Sequence, residues 1–128
     1  MALRLGVSIS EAESVVMAVI WRSNPIATDD ILAALKQHEK WQETTVKTLL
    51  NRLLKKGAIS AQKDNRRYLY SPRLQREQWL AAESKGFLDR LFDGRVAPLV
   101  SHFSQQKKLS KRDIADLKRL IEELDNGH

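Results

Sequence analysis

Residues 43–56 of this chain read ETTVKTLLNRLLKK. On a helical wheel of 100° per residue, Val46, Leu49, Leu50 and Leu53 make one apolar stripe, with Leu54 at its edge. Thr44, Thr48, Asn51 and Lys55 take the centre of the opposite face, flanked by Lys47 and Arg52, and Thr45 adds a third hydroxyl near the start. No acid follows Glu43 in this segment. A face made only for water would favour Glu, Lys and Gln at i,i+4 spacing, and threonine is a mediocre helix former, so helix propensity does not explain the choice. Hydroxyls and cations bond phosphate oxygens, a threonine methyl fits against the thymine methyl, and Asn and Arg read base edges. That is chemistry suited to duplex DNA; an ordinary solvated surface is the alternative that the wheel leaves open.

A second cluster follows. Lys63, Arg66 and Arg67 gather around Asp64-Asn65, which reads as a two-residue turn between strands at 58–63 and 66–71, with Pro72 ending the second. The turn itself needs only Asp64-Asn65. Cations at its tip suit phosphate neutralisation without base reading, the alternative being a solvated hairpin. Between Lys40 and Arg76 there are ten basic residues and two acids, Glu43 and Asp64. Net charge is +6 over 128 residues, so this stretch carries +8 and the remainder −2. A local basic stripe points to a polyanion more directly than diffuse basicity does.

The elements that must position these groups are legible. Ser10 and Glu13 form a capping box, and Ala12, Val15, Val16, Val19 and Ile20 share one face of a first helix running to about Arg22. Asn24-Pro25 breaks it, and Ile26-Ala27 suits a short strand. Thr28 reads as the N-cap of a second helix, with Asp29 and Asp30 at its positive end and its finish near His38. The third helix spans Glu43 to Lys56 and stops at Gly57. Three short helices and a basic hairpin are the order of a winged helix-turn-helix domain, expected over residues 1–72. Residues 73–128 read as helical again: from about Leu74 to Phe92, from about Ala97 to Gln105, and from a second capping box at Ser110 and Asp113 onward. The fold class is therefore mainly α with a small β-hairpin.

This C-terminal arm carries Trp79, Phe87, Leu88, Leu91, Leu99, Phe103, Ile114, Leu117, Leu120, Ile121 and Leu124 on short helices with no sheet to cover them. Burying each contributes roughly 1.5–3 kcal/mol, and a lone arm has too little second layer to do it. Isologous pairing of two arms is the expected solution, making the chain a homodimer that presents two DNA-reading modules.

Other classes are poorly served. No cysteine is present, which removes a disulfide framework, a thiolate metal site and a cysteine nucleophile. The histidines, His38, His102 and His128, are widely separated and fit no metal-ligand spacing, and no phosphate-binding glycine loop or nucleophile elbow occurs. The expectation is a non-enzyme with no cofactor and no metal. Residues 1–10 are too short and polar for a signal peptide, and no run reaches the ~18 apolar residues of a membrane span, so the cytoplasm is the expected location. A winged-helix protein-interaction or RNA-binding module is the rival reading. Trp21, Trp41 and Tyr68 would be its stacking residues, although their positions suit core and hinge packing better.

With these residues in view, the chain resembles the BlaI/MecI/CopY (penicillinase-repressor) family of bacterial winged-helix regulators. The likeness runs from Ile9 to Leu124 and rests on ISEAE at 9–13, Trp21, TTVKTLLNRLLKKGAI at 44–59, YLYSP at 68–72 and FLDRLFDG at 87–94. It implies a repressor whose third helix enters the major groove of an inverted-repeat operator, with contacts on Thr45, Lys47, Thr48 and Arg52, and whose C-terminal helices hold a homodimer. In the β-lactam branch a transmembrane metalloprotease partner relieves repression by cutting an Asn-Phe bond, which falls on His102-Phe103 here; Phe103 also reads as core, and the two roles are compatible. Two departures stand out. Trp41 is followed by Gln42, Glu43 and Thr44 where the family has Ser-Pro-Lys, which removes a cap and a cation and sets Glu43 near phosphates or a base edge. The C-terminal cysteines of the metal-responsive members are absent.

Overall fold

The computed structural model describes residues 7–36 and 40–127. It divides into two compact units, 1–82 and 83–128. The first holds α1 (Glu11–Arg22), β1 (Ile26–Ala27), α2 (Thr28–Leu35), α3 (Glu43–Lys56), β2 (Ile59–Asp64), β3 (Arg67–Pro72) and the start of α4 (Arg76–Phe92). The three strands make an antiparallel sheet in the order β1-β3-β2, with Ile26 opposite Tyr70 and Lys63 opposite Tyr68. This is the mainly helical, winged arrangement expected from the residue pattern.

The core forms where the apolar faces of the three helices meet the sheet. Val16, Met17 and Ile20 of α1, Ile31 and Leu35 of α2, and Val46, Leu49, Leu50 and Leu53 of α3 are buried together with Ile59 and Tyr70. Ser10 and Glu13 close the capping box on α1. At its other end α3 stops in a Schellman closure: the Ala58 amide donates to the Leu53 carbonyl at 3.0 Å and the Gly57 amide to Leu54 at 3.1 Å. Gly57 sits at φ 78°, a left-handed conformation that costs a residue without Cβ almost nothing.

One ion pair ties the first helix to the third. Glu13 is almost wholly buried; its Oε1 accepts from the Ser10 amide at 2.7 Å and from Lys56 Nζ, which also donates to the Ser8 carbonyl at 2.9 Å. Burial alone would raise the Glu13 pKa, but the Lys56 ammonium and the Ser10 donors outweigh it and hold the carboxyl below its ordinary value. The end of α3 is thereby fastened to the start of α1.

Four details differ from the sequence reading. Thr28 is not the cap of α2: the strand pairing of Ile26 and Ala27 with β3 runs up to the helix, so Ala27 takes the N-cap position without a side-chain bond and Thr28 is the first helical residue. The wing turn is shifted by one residue, because Asp64 pairs with Arg67 and leaves Asn65-Arg66 as the loop, with Asn65 at φ 60°. Residues 73–82 belong to the first unit rather than to the arm: Leu74 is buried with its amide donating to the Ala58 carbonyl at 2.9 Å, and the Trp21 indole N–H donates to the Leu74 carbonyl at 2.8 Å. Trp79, expected in the dimer contact, instead packs on Trp21 with ring centroids 5.4 Å apart. The expected end of α2 near His38 falls outside the described residues.

The second unit contains the rest of α4, then α5 (Val96–Gln105) and α6 (Lys111–Asn126), the last opened by the expected Ser110–Asp113 capping box. No residue of α4, α5 or α6 is fully buried. Phe87, Leu91, Phe103, Ile114, Leu120, Ile121 and Leu124 are exposed, the last by 63%, while Leu88, Leu99 and Leu117 are half-buried. Among the described residues no helix is long and apolar enough to cross a membrane.

The Glu13–Lys56 link carries a pH signature. A carboxyl whose folded-state pKa is lowered stabilises the fold fully above its unfolded value, about 4.5, and that contribution is lost as pH falls through the lower folded value. Glu13→Gln should cost about 1–3 kcal/mol at neutral pH, the usual cost of losing a charged hydrogen bond at a buried group. Urea unfolding followed from pH 7 downward should show the wild-type advantage shrinking below pH ~4.5. An advantage that persists unchanged at the acid end would contradict the assignment.

Candidate nucleic-acid interface

The buried stripe of α3 determines what its other face can do. With Val46, Leu49, Leu50 and Leu53 turned inward, Thr44, Thr45, Lys47, Thr48, Asn51, Arg52 and Lys55 are all exposed. The helix is anchored at Gly57 and by Lys56, and it starts at Gln42, which makes no side-chain cap bond. Its first turn thus has amides free of side-chain capping and carries the residues with the most chemistry.

The hydroxyls are not equivalent. Thr48 Oγ1 donates to the Thr44 carbonyl at 2.9 Å, so its hydrogen is engaged within the helix, leaving a lone-pair acceptor and a methyl to face outward. Thr48 is therefore better suited to touching a base edge than to donating to a phosphate oxygen.

Glu43 and Lys47 form an i,i+4 pair at 2.8 Å with both side chains more than half exposed. The hydrogen bond and charge of Lys47 lower the Glu43 pKa, and Glu43, with a smaller contribution from Asp29, raises that of Lys47. Both groups stay ionised across the physiological range. The sequence reading set Lys47 at the flank of the exposed face without pairing it to Glu43, although their i,i+4 spacing was the signal for the pair.

The wing completes the surface. Lys63, Arg66 and Arg67 are exposed at its end, and Arg67 lies 4.0 Å from Asp64 across the turn. A groove runs between α3, the start of α2 and the wing, lined by Asp29, Glu43, Lys47, Asn51, Arg66, Arg67, Tyr68 and Tyr70 among others. Of the ten expected contact residues the structure gathers Lys47, Asn51, Arg66 and Arg67 into this groove. Thr44, Thr45, Thr48, Arg52, Lys55 and Lys63 are exposed on the same elements but do not line it. Ala27, Thr28, Asp29, Tyr68 and Tyr70 were not foreseen as groove residues. Asp29 had been read only as a helix-dipole acid. Tyr68, expected in core or hinge packing, is 51% exposed: it shares a strand face with the buried Tyr70 but lies two residues nearer the wing turn. Trp21 and Trp41 do pack against the core.

In chemical terms the groove holds three cations, a carboxamide, two phenols and two carboxylates, Asp29 and the Lys47-paired Glu43. Such a set can neutralise phosphates and offer both donors and acceptors to base edges.

Comparison with known proteins agrees with this geometry. The family model described as penicillinase repressor matches residues 9–123. The chain is 34% identical over 118 residues to the penicillinase repressor of Bacillus licheniformis, covering 92% of each chain. Among solved structures it is similar to the DNA-binding domain of the repressor BlaI, with a TM-score of 0.53 and 35% identity over 61% of this chain and 93% of that one. It is also similar to the monomeric form of Bacillus licheniformis BlaI in complex with the blaP half-operator, with a TM-score of 0.50 and 37% identity over 56% of this chain and 87% of that one. An α3 face bare of acids beyond Glu43, a basic wing beside it and a match along almost the whole chain place this protein in the penicillinase repressor family.

Proposed function

We propose that this chain is a transcriptional repressor that binds an inverted-repeat operator as a homodimer. The observation that carries the reading is the exposed α3 face and the wing cations on one side of the first unit, with the core holding both in place. α3 enters the major groove, and Thr44, Thr45, Lys47, Thr48, Asn51 and Arg52 are its base-reading or phosphate-positioning residues. Lys55, Lys63, Arg66 and Arg67 hold the flanking backbone. The solved complex of BlaI with half an operator supports one module per half-site. By kinship with a penicillinase repressor, the regulated genes are of the β-lactamase or related resistance class.

Pairing follows from the second unit. Eight exposed large apolar side chains between Phe87 and Leu124 exceed what scattered surface residues account for, and exposed apolar surface on this scale marks an interaction face. Two arms pairing about a two-fold axis would cover it and set two α3 helices one turn of DNA, or a multiple, apart.

Release is proposed to proceed by proteolysis at His102-Phe103, cut by a membrane metalloprotease partner. This bond lies within α5, where the His102 carbonyl accepts from the Gln106 amide at 3.1 Å, so α5 must open locally before it can be cut. Phe103 shares an apolar groove with Leu99, Leu117 and Leu120, and cutting there would take α6 away from the pairing face. Full-length protein persisting in induced cells whose target gene is on would sink this route.

Leu117→Asp should leave the first unit folded yet shift the chain toward monomer and weaken binding to a palindromic duplex. Sedimentation equilibrium showing an unchanged dimer would refute the pairing face, and equal affinity for RNA hairpins would refute the repressor reading. Arg52→Ala should cost about 1–3 kcal/mol on a preferred duplex and relax the preference at one position. Lys63→Ala and Arg67→Ala should each give a smaller loss, uniform across sequences, as phosphate contacts do.

A further inference from the structure

Glu43 is the one acid that α3 itself contributes to a face otherwise made of hydroxyl, amide and cationic groups, with Asp29 of α2 lining the groove beside it. It is the first residue of α3, and its carboxylate lies 2.8 Å from the Lys47 ammonium, one turn on. The fold does not require it. Its side chain is 60% exposed, and its carboxylate is paired with Lys47 on the same helix. Nor does it help a surface built only to neutralise phosphates, because a carboxylate there repels the DNA backbone and ties up a lysine. A group that opposes unspecific attraction at that position has a use if it reads a base, and the first turn of a recognition helix is the part that reaches base edges.

We propose that Glu43 and Lys47 act together as one acceptor–donor couple that selects a C·G base pair in the major groove, a specificity residue pair that deepens the repressor reading and rests on it. The carboxylate accepts from the cytosine N4 amino group, and the ammonium donates to O6 and N7 of the paired guanine. In the major groove a C·G pair presents a donor at cytosine N4 next to the acceptors O6 and N7 of guanine. A carboxylate and an ammonium in contact with each other match that order. In an A·T pair the adenine amino group lies between two acceptors, N7 and thymine O4, so a carboxylate placed there meets lone pairs on both sides, and the thymine methyl follows. Asn51, which also lines the groove, lies one turn beyond Lys47 and leaves the couple's position to it.

The test uses the full chain and a pool of randomised duplexes, with bound sequences recovered and read for the wild type, Glu43→Gln and Glu43→Ala. The wild type should enrich a palindrome in which each half holds a C·G pair at one position, favoured about tenfold over the alternatives, the discrimination one good base contact supplies. Both variants should lose the preference at that position alone, Glu43→Gln drifting toward A·T because a carboxamide pairs with adenine N6 and N7. Both should also bind random DNA more tightly than the wild type. A consensus unchanged at every position, with only overall affinity altered, would make Glu43 a mere electrostatic brake and overturn the proposal. A wild type that enriches no sequence would overturn the repressor reading itself.

Discussion

The structure depends on the burial of one stripe of α3. A helix repeats every 3.6 residues, so fixing Val46, Leu49, Leu50 and Leu53 against α1, α2 and the sheet leaves Thr44, Lys47, Thr48, Asn51 and Arg52 no option but to face outward. Each buried leucine contributes roughly 1.5–3 kcal/mol, far more than any exposed polar contact on the other face. The functional face is therefore held by groups that never touch a ligand. Glu13 and Lys56 fasten one end, the Gly57 closure stops the helix, and the Trp21 indole ties α1 to the strand exit at Leu74.

Because anchoring and reading fall on opposite faces of one helix, the reading face can vary while the fold stays. Gln42 and Glu43 illustrate this. Their presence at the start of α3 removes a side-chain cap and adds a carboxylate, yet α3 still forms over its full length from Glu43 to Lys56. The lost cap costs on the order of 1 kcal/mol, a sum the buried stripe easily outweighs. The second unit shows the contrary case. Its helices are patterned, and α6 is capped, but none buries a single residue completely, so their apolar side chains stay at least partly exposed within the protomer.

Periodicity and local stop signals made most of this legible from residues alone. The α3 stripe, Gly57, the two capping boxes and the short strand at Ile26-Ala27 all express rules that act within a few positions. What escaped was set by groups distant in sequence. Thr28 lost its capping role to a strand pairing with residues some forty positions on, and the wing turn moved by one residue because register is decided by the whole ladder. Trp79 was read as arm because its period matched the helix, whereas the ring of Trp21 captured it. The partner of Glu13 could not be read either: a capping-box glutamate satisfies a local rule, and nothing near it in sequence announces Lys56. At the interface the seven α3 residues were placed correctly on the exposed side, but which of them share a groove with the wing required the hairpin's actual register.

The central claim is electrostatic and geometric at once: a cationic, polar surface meets the phosphate backbone and groove of duplex DNA, presented twice. Titrating salt against affinity for promoter fragments upstream of the chain's own coding region tests it most directly. With Lys55 and the three wing cations of each protomer each neutralising a phosphate, log Kobs should fall with log salt at a slope of about −7, and binding should be strong at low ionic strength. A slope near zero, or no retention of any fragment even at low salt, would contradict the account.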